Sequence, residues 1–234
     1  MNAKRRVKTL LRAALPENVA AHRRLAVVRR VLRYVRAADV SAVFTDIYQH
    51  NSWQDAESVS GRGSTLARTV VIRRALPALL RDLHITSLLD AACGDFNWLR
   101  HTELDGISYI GADIVPALIA RNQRLYGNER RTFIVLNIIK ERSPDVDAIL
   151  CRDCFIHLSF RHIRATVANF KRSRAAYLLA TSHPSVLHNR DIETGAWRSV
   201  NLQLPPFNFP PPLHVLGEDE AAGKHLGVWR LAEL

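Results

Sequence analysis

Leu88-Leu89-Asp90-Ala91-Ala92-Cys93-Gly94-Asp95-Phe96 decides how this chain folds. An apolar run ends in an acid, and a tight turn with a glycine follows it, the form of a strand that brings its end to a ligand. Nineteen residues after Gly94 comes Asp113, closing a second apolar run, Tyr109-Ile110-Gly111-Ala112. A carboxylate at that place can accept both ribose hydroxyls of an adenosine lying across the first turn. Any adenosine cofactor could use the arrangement, so these residues indicate a nucleoside and leave its identity open.

Outward from this pair the pattern is strand and helix in alternation. Strands are expected at 87–91, 108–112, 132–136, 146–151 and 176–180, with a closing strand at 225–231. Helices are expected at 69–83, near Trp98, at 116–126 with Pro116 in its first turn, and at 160–171. Short apolar strands alternating with helices predict a parallel, doubly wound α/β sheet, which binds ligands beyond the carboxyl ends of its strands. Residues 41–65 read as loop with short helical turns. Their stretch Ser58-Val59-Ser60-Gly61-Arg62-Gly63-Ser64 suits a backbone that approaches a ligand closely. Five prolines within 201–213 exclude regular structure there. Trp197, Phe207 and Phe209 around that piece are expected either to wall an acceptor pocket or to seal the sheet edge.

The net charge of +11 is unevenly placed. Residues 1–36 hold eleven basic side chains and one acid, Glu17, whereas the other 198 residues hold 22 basic and 21 acidic ones. Basicity therefore belongs to an N-terminal arm, residues 1–40, with helices expected at 4–15 and 19–35, and not to the body at 41–234. Val27, Val28, Val31, Leu32 and Val35 make a helical stripe among arginines, which fits either packing on the body or contact with an anionic surface. No apolar stretch reaches the roughly 18–20 residues that span a bilayer. The apolar run after the first basic residues stops at Arg12, which argues against export. Three cysteines, Cys93, Cys151 and Cys154, form no disulfide framework and suit a reducing cytoplasm. Cys151 and Cys154 have redox or half-zinc spacing but no second pair, and read as small apolar residues at a strand end.

At the quoted residues the sequence resembles the class I S-adenosylmethionine-dependent methyltransferases, whose first motif runs D-x-G-x-G-x-G. Asp90 and Cys93-Gly94 match it, while Ala92 and Phe96 stand where the outer glycines would be. That departure argues against NAD, whose pyrophosphate needs all three glycines. Phe133–Asn137 resembles the third strand and the turn that meets adenine, with Asn137 in place of the usual acid. Residues 147–153 resemble the fourth strand, and His157-Leu158 falls where many relatives have a His-Leu pair opening the next helix. Trp53 to Ser64 is similar to a bacterial branch with a W…S-x-S-G-x-G-S run before the first strand. The resemblance implies a Rossmann-like sheet of seven strands, mostly parallel with an antiparallel last strand, and adenosylmethionine as cofactor. It places Trp53, Gly63, Ser64, Asp90, Ala91, Cys93, Gly94, Phe96, Asp113, Ile114, Asn137 and Arg152 at the cofactor.

Methyl transfer is an in-line displacement that gains mainly from alignment. A hydroxyl acceptor also has to lose its proton, and His157 is the expected base, with Asp153 to orient the substrate, take the proton itself or hold the cofactor's amino group. The expected reaction is O-methylation of a small-molecule or saccharide hydroxyl. N-methylation of a small metabolite is the alternative within the class. A nucleic-acid or membrane-surface module with a vestigial cofactor pocket is the alternative outside it. Asp153 and His157 could also ligate a divalent metal, so metal assistance stays open. Asn201 to Phe207 differs from the N-P-P-Y motif of amino-methylating DNA enzymes: its asparagine is separated from the prolines, and it follows the fifth strand.

Overall fold

The computed structural model describes residues 39–219 and 223–234. The expected arm helices and the anionic contact through residues 1–36 fall outside the described residues.

Helix α1 spans Val40–Gln49, capped by Asp39, whose carboxylate accepts from the Ala42 amide. Helix α2 spans Val70–Asp82 and runs through a buried Pro77. The sheet then begins. In chain order come β1 Ser87–Ala91, β2 Ser108–Asp113, α3 Pro116–Tyr126, β3 Arg131–Val135, β4 Ala148–Cys151, α4 Phe160–Phe170, β5 Tyr177–Ser182, β6 His214–Asp219 and β7 Lys224–Arg230. The strands lie in the order β3-β2-β1-β4-β5-β7-β6. Pairing is parallel from β3 through β5, and β7 runs antiparallel to both neighbours. The order reverses between β1 and β4, which opens a crevice at their carboxyl ends.

Alternation along the strands fills both faces. Leu89, Ile149 and Leu178 pack with Ile163, Val167 and Phe170 of α4 on one side. Leu88, Leu150 and Leu179 pack with Ile72, Leu76 and Leu80 of α2 on the other. A continuous apolar strand is what burial on two faces requires. At the strand starts, the Asp147 carboxylate accepts from the Thr86 and Ser87 amides and the Thr86 hydroxyl, each at 2.8 Å, pinning β4 to β1.

The expected strands and helices are present within a few residues of their predicted limits, with two differences. Near Trp98 there is a single 3-10 turn, Leu99–His101. The stretch read as loop from residue 41 begins instead with ten residues of helix. Val40, Val43, Phe44 and Ile47 make a helical stripe that the crevice and the 195–198 segment cover. The proline-rich piece seals. Phe209 packs edge-on to Trp229 and Phe207 to Phe160, while Trp197 is 63% exposed, and none of the three lines the crevice.

Candidate active site

The carboxyl ends of β1, β2, β3 and β4 surround a cleft of about 1040 Å³, counting the open space at its mouth. Clefts that take small ligands run roughly 300–1,000 Å³. Helix α1 and the 53–64 loop form its cover.

The turn after β1 carries the first part. Gly94 has φ +53, and a Cβ there would collide with Ser60 Oγ, so any other side chain at this position is strained. Its amide donates to Asp113 Oδ2 at 3.2 Å, and its carbonyl accepts from Asn122 Nδ2 at 2.7 Å. Phe96 also has a positive φ, +59, at the place where the motif's last glycine is expected. A bulky residue pays for that backbone conformation. Here its ring is buried against Tyr109, Tyr126 and Phe133, away from the cleft.

The Ser-rich loop is held from below by residues the motif does not mark. Asp95 accepts from the Ser58 and Ser60 hydroxyls at 2.9 and 3.1 Å and from the Val59 amide at 3.0 Å. Asn97 Nδ2 donates to Glu57 Oε1 at 2.7 Å and to the Ser64 carbonyl at 3.0 Å. Serines spaced by two therefore meet one carboxylate 37 and 35 residues away.

Asp113 ends β2 at the cleft and is 8% exposed. Its Oδ1 accepts from the Val115 amide at 3.0 Å. Burial pushes its carboxyl up to about 6 against the backbone amides of Val115 and Gly94. Asp90 is also buried. It accepts from the Tyr109 hydroxyl at 2.8 Å, and burial pushes it up to about 7. Ile114 lines the cleft, and its carbonyl accepts from Ser41 Oγ of α1. Asn137 lines it beyond β3, with Oδ1 spent on the Ile139 amide.

After β4 the chain supplies an ionic cluster. The buried Arg152 guanidinium bonds Glu218 through Nη2 at 2.6 Å and Nε at 2.8 Å, gives Nη2 also to the Gly63 carbonyl, and lies over the Trp98 ring. Asp153 meets Arg152 at 3.3 Å and Lys224 at 2.6 Å. Burial raises the Asp153 carboxyl, but Arg152 and Lys224 outweigh it and hold the group below its ordinary value.

His157 sits in the 3-10 turn Phe155–His157, ahead of α4, which Ser159 caps. Its Nδ1 lies 3.0 Å from the Ala196 carbonyl. A carbonyl only accepts, so Nδ1 carries the hydrogen and neutral Nε2 keeps its lone pair. Burial holds the imidazole below its ordinary value, against the Ala196 carbonyl and the Asp153 charge. Trp53 stacks on the ring at 4.8 Å. The turn is fixed by Arg198, which donates to the Phe155 and Leu158 carbonyls at 2.6 and 2.8 Å. Burial lowers Arg198 to about 10.

Of the residues expected at the site, Trp53, Ser64, Asp90, Cys93, Gly94, Asp113, Ile114, Asn137, Arg152, Asp153 and His157 line this one cleft. Gly63, Ala91 and Phe96 do not. Gly63 rests its backbone on Arg152 and Asp153, Ala91 is buried within β1, and Phe96 belongs to the core. Asp95, Asn97, Arg198, Glu218 and Lys224 were missed. The contacts that tie them to the site span more than 30 residues, as in Asp95 with Ser58, Asn97 with Glu57, Arg198 with Phe155, Glu218 with Arg152 and Lys224 with Asp153. Among the described residues no three His, Cys, Asp or Glu side chains gather as a metal set, and the three cysteines are free.

No protein-family model matches the sequence, and no curated protein matches it. Solved structures do resemble it in fold. The methyltransferase domain of bacterial CtHen1-C covers 71% of this chain and 98% of its own, at 16% identity and TM-score 0.50. CalO1, a methyltransferase in calicheamicin biosynthesis, covers 70% of this chain and 53% of its own, at 14% identity and TM-score 0.51. Human N-acetylserotonin methyltransferase covers 69% and 52%, at 11% identity and TM-score 0.53. The chain thus spans nearly all of the first and about half of the other two. Its fold is the Rossmann-like fold of the class I methyltransferases.

Proposed function

We propose that the protein is an S-adenosylmethionine-dependent methyltransferase that methylates a hydroxyl of a small molecule, with His157 as base. The observation that carries the reading is the charge of the cleft. Among the described residues, three acids, Asp90, Asp113 and Asp153, line it, and its one arginine, Arg152, is already spent on Glu218 and Asp153. A pyrophosphate would meet these groups with no free cation among the described lining residues to receive it. A cationic sulfonium compound with an adenosine end and no phosphate suits the same surroundings.

Each oxygen of Asp113 takes one backbone N–H and has a further lone pair for a ribose hydroxyl. Leu136, Ile138, Val115 and Leu118 provide apolar surface beside it for the base, and the turn at Gly94 brings backbone close to the amino-acid end. Bound adenosylmethionine supplies an activated methyl group. The chain itself aligns the acceptor and takes its proton. The imidazole stays neutral near pH 7 because burial lowers it, and the Ala196 carbonyl fixes the tautomer whose Nε2 can accept a proton. Asp153, held ionised between two cations, is a poor base and acts on the imidazole by its charge.

In this reading residues 41–234 are the catalytic body, with residues 50–65 and α1 covering the cofactor, and residues 1–40 are an appendage. The basic arm supplies an anionic contact separate from catalysis. Isothermal titration tests the cofactor assignment: adenosylmethionine and adenosylhomocysteine are expected to bind, and NAD is not. Tight binding of NAD in their place would refute it.

A further inference from the structure

The two ends of the cleft are lined differently, and the difference selects an acceptor. We propose that the acceptor is an aromatic hydroxyl compound, a phenol whose ring packs against Trp53 and the apolar side chains of α1, and not a saccharide. This rests on the methyl-transfer reading above. Phe44 and Ile47 of α1 and Ile139 after β3 line the cleft together with Trp53 and His157. The glycine at 195 is part of the same wall: a Cβ there would strike Val43 of α1, so α1 lies directly on the segment that fixes His157.

The charged groups beside His157 already have partners. Asp153 accepts from Lys224 Nζ and Thr181 Oγ1 and faces Arg152, and His157 Nδ1 is given to Ala196. His157 Nε2, the Tyr48 hydroxyl, Ser64 Oγ and Asn137 Nδ2 line the cleft without hydrogen-bond partners among the described residues. Of these, Nε2 belongs to the ring on which Trp53 stacks, and it can serve one acceptor hydroxyl. A saccharide of the same size would bring several more, each left unpaired against Phe44 and Ile47, and unpaired buried polar groups are strongly disfavoured.

Proton affinity agrees with the lining. A phenolic hydroxyl titrates near 10, as tyrosine does, whereas an unactivated hydroxyl holds its proton far more tightly, as water does. An imidazole held below its ordinary value by burial is a weak base and is better matched to the more acidic hydroxyl. In the step, the phenolic oxygen bonds the methyl carbon while the sulfur–methyl bond breaks and its electron pair stays on sulfur. The phenolic proton goes to His157 Nε2 and then to water. The products are an aryl methyl ether and adenosylhomocysteine.

The full chain is assayed with labelled adenosylmethionine on phenol, 2-naphthol, cyclohexanol, aniline and methyl glucoside. The expected result is aryl methyl ether formation, with kcat/KM for 2-naphthol at least about 100-fold above cyclohexanol. A second measurement follows 2-naphthol binding to protein saturated with adenosylhomocysteine, where Phe44→Ser should raise the dissociation constant about tenfold or more. Methylation of methyl glucoside with the phenols inert, preference for aniline, or failure of every phenol to bind or react would overturn the proposal. If calorimetry shows adenosylhomocysteine bound in any of those cases, the cofactor reading survives and the aromatic acceptor alone falls. If adenosylhomocysteine does not bind, both fall.

Discussion

Asp113→Ala removes the carboxylate that ends β2, and its effect can be worked from the contacts. The two oxygens hold the Val115 and Gly94 amides at 3.0 and 3.2 Å and are left with lone pairs for two ribose hydroxyls. Hydrogen bonds to a charged acceptor are worth about 1.5–3 kcal/mol each. The loss of one at the lower value sets a floor of roughly tenfold in affinity, and the loss of both at that value about 150-fold. Adenosylmethionine and adenosylhomocysteine should weaken alike, because their ribose is the same. Calorimetry at pH 7.5 reads this directly. The pH dependence is a second check. Burial pushes the Asp113 carboxyl up to about 6, so the ionised form that accepts both hydroxyls is present above that pH and lost below it. At pH 5 about one-tenth is ionised, and wild-type affinity should fall about tenfold from its value at pH 7.5. The variant should lack that fall. Equal affinity in variant and wild type, or the same pH profile in both, would refute the assignment of the ribose site.

Other outcomes follow from the same contacts. His157→Ala should lower the rate at saturating substrate by roughly 10²–10⁴-fold while cofactor affinity is kept. Wild-type activity should hold level at neutral pH and fall only below the ordinary imidazole value, since burial lowers the group; a mutant with full rate and an unchanged profile makes His157 structural. Asp90→Asn tests buried charge. The folded carboxyl at about 7 holds its proton more tightly than the unfolded one at 3.8, so its ionisation opposes folding, an effect absent below about pH 4 and complete above about pH 7. Urea denaturation of the cofactor-free variant should show a gain of up to about 4 kcal/mol at pH 8 and none at pH 4. Gly94→Ala meets both a positive φ and Ser60 Oγ, and should cost about 1–3 kcal/mol in the same assay together with cofactor binding. Deleting residues 1–36 should leave cofactor affinity within about twofold of the full chain, as the Asp113 and Gly94 contacts are all in the body; a truncated protein that folds without binding cofactor would place the arm at the site.

What could be read in advance depended on the range of the interactions. Local pattern sufficed for β1, where the acid and glycine follow an apolar run, and for α3, where Pro116 opens the helix at its first position. The spacing of Gly94 and Asp113 was legible because parallel neighbours end side by side, so that the Gly94 amide reaches the second carboxylate directly. Helix α1 was also legible in principle, with Asp39 as cap and Val40, Val43, Phe44 and Ile47 as its stripe. The glycine and serine cluster that follows drew the whole stretch toward loop. Phe96 shows the opposite limit. Its place in the motif suggested the cofactor, but three aromatic rings from β2, α3 and β3 hold it in the core. Nothing local marks Asp95 as the anchor of Ser58 and Ser60, or Glu218 and Lys224 as partners of Arg152 and Asp153. Those contacts exist only once the sheet has closed.

The latch between Asp95, Asn97 and residues 57–64 has a thermodynamic consequence. The cover of the cleft is tied down by hydrogen bonds within the chain, none of which involves a ligand atom. Ligand binding then carries no cost of folding that loop. The heat-capacity change on adenosylhomocysteine binding should therefore be small and negative, set by the ligand's own apolar surface and the cleft wall. Asp95→Ala would shift the cost of ordering onto the binding step, making the heat-capacity change more negative and the entropy less favourable while every direct contact to the ligand stays in place.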